Sequence, residues 1–305
     1  MAHESASFHD LTRSRVRRLM LSLGITLAFV VVEIIAGLVA NSLALLTDAA
    51  HNFTDVLTLA LSAWALWVAA KPPHSGKTYG YHRAGILVAL FNSTTLAVIA
   101  LGIFYEAWKR FIAPPEVQAG LLIWVGLAAV VVNLVTALLI RHGAEHDLNL
   151  KSAFLHLMGD VLSTVGAVTA GVLIHFTGWN WLDPFVSVLI GVLILWNAFG
   201  ILRESLQILM ESTPADVDME ALQRDILAVD GVRGVHDLHV WSITNEMRYL
   251  SAHLVTADVA VSDGAKIQSA VSRVLAERYA IQHATLQLEC AECGNNGLYC
   301  GPFSS

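Results

Sequence analysis

The sequence predicts a polytopic α-helical membrane protein, six transmembrane helices followed by a small cytoplasmic α+β domain of ferredoxin-like order α-β-β-α-β. Three observations carry this. The 305 residues are 55% hydrophobic and only 14% charged, against roughly 25% charged in ordinary soluble domains. The apolar residues gather into six runs long enough to cross a hydrocarbon core, about 20 residues at helical rise. Past residue 210 the runs stop and the composition becomes that of a soluble domain.

The runs are Leu19 to Ala40, Leu43 to Ala70, Ala84 to Trp108, Val117 to Ile140, Ala153 to Phe176 and Leu182 to Leu202. The first follows a polar, arginine-bearing start, exceeds the core of a signal peptide and has no small-residue cleavage pattern behind it, so it is expected to remain a helix. Short cytoplasmic loops are enriched in Lys and Arg. Arg13, Arg15, Arg17 and Arg18 precede the first run, Lys71, Lys77 and Arg83 follow the second, and Arg141 and Lys151 follow the fourth. The Asn41 and Gly178 loops carry none, which puts both termini in the cytoplasm. Lys109 and Arg110 oppose the trend and read as long side chains reaching headgroups from a helix end. The chain is expected to divide into an N-terminal tail (1–16), a membrane domain (17–208), a regulatory α+β domain (209–290) and a cysteine-bearing tail (291–305).

In the soluble domain a helix is expected from about Val217 to Val229, opened at Thr213-Pro214 and closed near Asp230-Gly231. Two strand-like runs, Val235 to Ile243 and Tyr249 to Thr256, join across Thr244-Asn245 as a hairpin. A helix from Ser262 to Tyr279 and a strand from about Thr285 to Glu289 complete helices packed on one face of a three-stranded sheet. The formal net charge of −7 argues against a nucleic-acid partner, whose binding needs basic surface to displace counterions. Cys290, Cys293 and Cys300 fall in what the orientation makes a reducing compartment, where structural disulfides are rare. Cys290 and Cys293 have the spacing of half a zinc unit, against the alternative of a tail with incidental thiols.

Two membrane-like runs each carry a histidine and an aspartate four residues apart, His51 with Asp55 and His156 with Asp160. Four residues is just over one helical turn, so each pair projects from one face. Ionisable groups at bilayer depth are costly enough to imply a task. Two imidazoles and two carboxylates from facing helices complete a tetrahedral set for a divalent cation, zinc above all. Imidazole must be neutral and carboxylate ionised to hold the ion, so protons compete for the same atoms and proton exchange is the expected means of ejecting it. Asp48, three residues before His51, shares their face and either orients the imidazole or makes a cap or inter-helix hydrogen bond. Glu33, Asn92 and Asn133 fit polar contacts inside a helix bundle. Asp183, ahead of Pro184, reads as an interfacial residue opening the sixth helix.

The stretches Leu43-Ala-Leu-Leu-Thr-Asp-Ala-Ala-His-Asn-Phe-Thr-Asp55, Tyr79-Gly-Tyr-His-Arg-Ala84, Asp147-Leu-Asn-Leu-Lys-Ser-Ala-Phe-Leu-His-Leu-Met-Gly-Asp160 and Val235-His-Asp-Leu-His-Val-Trp-Ser242 together resemble the cation diffusion facilitator family, over about residues 16 to 290. The resemblance implies a homodimeric exporter of divalent metal driven by inward proton movement, with a cytoplasmic metallochaperone-like domain. It places the transport site on the same His51, Asp55, His156 and Asp160. It also matches His236, His253 and Glu289 with positions that bind regulatory metal in relatives; satisfied sheet histidines are the competing account. On a regular strand His236 and His239 face opposite sides, so only a bulge brings them together. His236 and His253 meet if the hairpin register allows.

Some relatives bind a further metal between the second and third helices. Here Lys77 and Tyr81 stand at two ligand positions, and neither is an ordinary zinc ligand. The compact chain without a long histidine-rich loop points to a bacterial inner membrane. Expected partners are Zn2+, protons, the lipid bilayer and a second copy of the chain. Two readings from other classes compete. An intramembrane zinc enzyme is disfavoured because four ligands close the coordination sphere, and neither His-Glu-x-x-His nor Gly-x-Ser-x-Gly occurs. The other is a metal sensor that signals without transport.

Overall fold

The computed structural model describes residues 24–144 and 148–290, the side chains of 139–153, 155 and 156 excepted. Helix α1 (Gly24–Ala40) precedes five helices long and apolar enough to cross a membrane. These are α2 (Leu43–Ala69), α3 (Ala84–Ile112), α4 (Ala119–Ala144), α5 (Leu148–Thr177) and α6 (Leu182–Leu209). Their burial is inverted relative to a water-soluble bundle: Trp196 is 80% exposed, whereas Glu33 and Asp183 are 0% exposed. Outward apolar rings and inward polar groups are what a hydrocarbon solvent selects.

The chain forms two compact units, one of residues up to Ala63 with Phe91–Ile201, the other of Trp64–Leu90 with Leu202 onward. In the first, Ala36, Ala40, Leu45, Leu122 and Ile174 join α1, α2, α4 and α5 in one core. Leu96, Ala100, Ile190, Ile194 and Ala198 pair α3 with α6 in another. The α1–α2 turn is tight. Asn41 takes a left-handed φ of 55°, a conformation Asn tolerates better than most residues. Gly37 lets the helices approach, since a Cβ there would lie 2.8 Å from Leu46 Cδ2.

Asp183 opens the sixth helix as expected and has a second role. Its carboxylate, on the first turn of α6, is wholly buried and caps α2: Ser42 Oγ donates to Oδ1 at 2.6 Å, Leu43 N to Oδ2 at 2.7 Å and Ala44 N to Oδ1 at 3.2 Å. The first N–H groups of a helix have no partner within it, so an anion there is satisfied by geometry and by the helix dipole. Arg110 departs from expectation. Instead of reaching for headgroups, its guanidinium donates to the Asn41 carbonyl at 2.7 Å and lies 3.6 Å from Asp183 Oδ2.

The second unit contains α7 (Met219–Leu227), β1 (Gly234–Ser242), β2 (Arg248–Val255), α8 (Val261–Tyr279) and β3 (Ile281–Glu289), the predicted order. The sheet order is β1-β2-β3. β1 and β2 form the expected antiparallel hairpin, while β2 and β3 run parallel, a pairing that needs a crossover and finds it in α8. Leu222, Ile226, Val271 and Leu275 of the two helices pack against Leu238, Val240, Leu250, Ala252 and Leu254 of the sheet.

Several boundaries shift by one to four residues, two of them for reasons visible in the structure. Asp218 accepts hydrogen bonds from Glu220 N and Ala221 N, so α7 starts at Met219 rather than Val217. Ala280 turns left-handed at φ 55° and delivers the chain straight into β3, which therefore opens at Ile281 and not near Thr285. A clasp holds α7 to α8: Arg278 donates to Asp225 Oδ1 at 2.7 Å and the Tyr279 hydroxyl to Oδ2 at 2.8 Å. These bonds, that of Arg278 foremost, hold the Asp225 carboxyl below the usual carboxylate range. Desolvation, then the adjoining carboxylate, pushes the Tyr279 phenol up to about 12.

Candidate metal centres

Among the described residues, two clusters bring at least three His, Cys, Asp or Glu ligand atoms within 4.8 Å of one another: His51 with Asp55 and Asp160, and His236 with His253 and Glu289. In the first, α2 and α5 meet. His51 Nε2 lies 3.6 Å from Asp55 Oδ2, its neighbour one turn on, and 3.3 Å from Asp160 Oδ1 across the helix pair. Bonds of about 2.0–2.1 Å to a tetrahedral ion place ligand atoms about 3.3–3.4 Å apart, so this spacing fits coordination without rearrangement. The His156 side chain lies outside the described residues. Its backbone belongs to α5 one turn before Asp160.

Polar contacts brace this cluster. Asp48, 1% exposed, accepts a hydrogen bond from Thr164 Oγ1 at 3.1 Å, and that hydroxyl lies 2.8 Å from the Asp160 carbonyl. Its single proton serves one acceptor at a time, so Thr164 couples Asp48 to the turn carrying Asp160. Asn52, beside His51, donates to Glu33 Oε2 at 3.3 Å. Sequence reasoning misses Thr164 and Asn52. Both sit one residue or one turn from a metal-type residue on a membrane helix, and that is the available signal.

The second cluster is assembled by strand register. His236 and His253 are cross-strand partners, with rings 5.1 Å apart. Glu289 spans them: Oε2 lies 3.0 Å from His236 Nε2 and Oε1 2.9 Å from His253 Nδ1. A bulge does occur between His236 and His239, with Asp237 at φ 48°. Both histidines therefore share the sheet face opposite the helices. They are not brought to one ligand set, since His239 Nε2 lies 3.1 Å from Asp237 Oδ1. Asp237, absent from the predicted set, also approaches His253 Nε2 at 3.7 Å.

The membrane half of the chain, residues 19–210, matches the family model described as the cation efflux transmembrane domain, and residues 214–291 match the cytoplasmic domain of cation efflux proteins. The chain belongs to the cation efflux family. It is thus an integral membrane transporter rather than an enzyme, and the intramembrane zinc-enzyme reading falls away. Relatives run nearly the full length. The metal cation efflux system protein CzcD of Cupriavidus metallidurans is 36% identical, covering 93% of this chain and 90% of that protein. The cadmium, cobalt and zinc/H(+)-K(+) antiporter of Bacillus subtilis is 36% identical over 93% of this chain and 92% of its own length. The zinc transporter ZitB of Escherichia coli is 34% identical over 96% and 93%. A solved metal-bound C-terminal domain of the Cupriavidus metallidurans CzcD transporter, 36% identical, covers 24% of this chain and 99% of its own, with a TM-score of 0.22.

Two other segments of this cation efflux chain stand out in the sequence. Between α2 and α3, the exposed His74 is engaged locally: Nε2 lies 3.1 Å from the Tyr81 hydroxyl and Nδ1 accepts from Gly76 N at 3.1 Å. Lys77 sits over the Tyr81 ring at 5.5 Å. In the tail, Cys290 is an exposed free thiol, while Cys293 and Cys300 lie outside the described residues.

Proposed function

We propose that the chain exports divalent metal, zinc above all, from the cytoplasm in exchange for protons. The ion is carried by His51, Asp55 and Asp160 together with His156. The observation supporting this is the 3.3 Å approach of His51 to Asp160 between helices α2 and α5. Proton and metal compete for those atoms, so acidity on the receiving side releases the ion and proton loss on the cytoplasmic side restores the site. Alternating access follows if one group of helices rocks against another around the site. The α1-α2-α4-α5 core and the α3–α6 core are the natural bodies.

His236, His253 and Glu289 form a regulatory metal site in this reading, and metal there favours one state of a homodimer to the extent that it binds that state more tightly. A bacterial inner membrane with both termini in the cytoplasm fits the distribution of Lys and Arg. The division near residues 208 and 209 and a thiol site at Cys290 and Cys293 complete the proposal. Zinc uptake into proteoliposomes tests it: an imposed pH gradient, acid inside, is expected to drive uptake, and zinc entry to alkalinise the lumen that receives it. Zinc movement indifferent to the gradient removes the exchange; no movement with intact metal binding favours the sensor reading.

A further inference from the structure

Helix α2 is buried unevenly along its length. Near its start Leu43, Ala44, Leu45, Thr47, Asp48 and Ala49 are all at most 4% exposed. Beyond His51 the packing loosens: the Asp55 side chain is 32% exposed, against 13% for His51 and 7% for Asp160. Asn52 and Thr54 stay buried, but Asp55 makes the cluster more open past His51 than toward the Asn41 turn.

What closes the Asn41 side is polar. Three helices converge on residues 39–44: Arg110 of α3 donates to the Asn41 carbonyl at 2.7 Å, Gln118 at the start of α4 donates to the Ala40 and Val39 carbonyls at 2.9 and 3.0 Å, and Asp183 of α6 caps α2 through Ser42, Leu43 and Ala44. Asp183 is the centre, since it joins α2 of one helix core to α6 of the other and pairs with Arg110. A wholly buried carboxylate cannot let go of these donors gradually, because each lost partner leaves charge uncompensated in a low dielectric. Such a cluster is either made or replaced by water. That is the behaviour of a gate.

We propose that Asp183, Ser42 and Arg110 form the seal that closes the metal path on the Asn41 face, and that must release for the ion to pass that way. The inference rests on the reading of His51, Asp55 and Asp160 as the transport site. These three are positioning residues: none touches the ion, and their effect falls on the rate of alternation rather than on affinity.

The test compares Asp183→Asn and Ser42→Ala with wild type in three measurements. Turnover in zinc-loaded liposomes is expected to fall about fivefold or more, while equilibrium zinc affinity in detergent stays within about twofold. Amide exchange over 42–49 is expected to rise about tenfold, with that of Leu157–Thr177 unchanged, and Ser42→Thr is expected to restore turnover. Unchanged turnover, an affinity loss as large as the turnover loss, or exchange rising equally in both segments overturns the seal. If Asp183→Asn does not remain folded on size exclusion, Ser42→Ala, which loses the 2.6 Å bond to Asp183 and the 3.3 Å cap bond from Leu45 N, is judged by the same measures. His51→Ala run alongside keeps the two readings apart, since intact zinc binding in that variant overturns the site and not the seal.

Discussion

The membrane cluster and the cytoplasmic cluster use the same side-chain chemistry in opposite proportion. In the first, one histidine stands between two aspartates; in the second, one glutamate stands between two histidines. The difference is one of charge. In the proposed transport site, which adds His156 to these three, the set would carry two negative charges, so a divalent ion would make it neutral. The cytoplasmic set carries one, so the same ion leaves it positive. A net charge at bilayer depth is costly, whereas His253 and Glu289, 30% and 21% exposed, lie where water screens the excess.

The largest expected effect comes from upsetting that balance. Asp160→Asn leaves a cationic complex in the membrane and is expected to lower zinc transport about a hundredfold or more in proteoliposomes. Glu289→Gln removes the same charge from the cytoplasmic set and is expected to abolish only the second equivalent of bound metal. Equal losses of transport in the two variants break the comparison.

Next in size is pH. Each proton displaced by the ion contributes about a tenfold weakening of binding per pH unit below the ordinary imidazole value near 6.5. Zinc affinity of a His236→Ala, His253→Ala variant with its cysteines blocked by alkylation, which leaves the membrane cluster as the remaining proposed site, is expected to fall steeply from pH 7 to 5. A flat titration rules out exchange at that site. The same double variant sharpens the contrast through transport, where turnover at saturating zinc is expected to change by less than about fivefold.

The smallest effect concerns the frame of the cytoplasmic cluster. Asp225 has a depressed folded-state value, so the clasp's contribution is present above the ordinary carboxylate range and lost as pH falls through it. Tyr279 is raised to about 12, so its share is complete below the ordinary phenol value and lost as pH rises through that range. Both groups sit at the surface, and screening keeps the effect small. Asp225→Asn is expected to lower the melting temperature of this domain by a few degrees near neutrality and to flatten its acid dependence, as read by circular dichroism.

Much of this was legible in the chain itself. Hydrophobic runs set the helices because a bilayer admits little else. The pair His51/Asp55 disclosed its shared face because helical periodicity is local, and the alternating strands around Thr244-Asn245 disclosed their hairpin for the same reason. Tertiary structure decided the rest. No local rule brings Asp160 to His51 over more than a hundred residues, directs Asp183 to the first amides of α2, or turns Arg110 inward. Likewise the bulge at Asp237 and the parallel pairing that carries Glu289 to His236 depend on register between separate strands. Contacts within a turn are written in spacing; contacts between elements exist only once packing has chosen which faces meet.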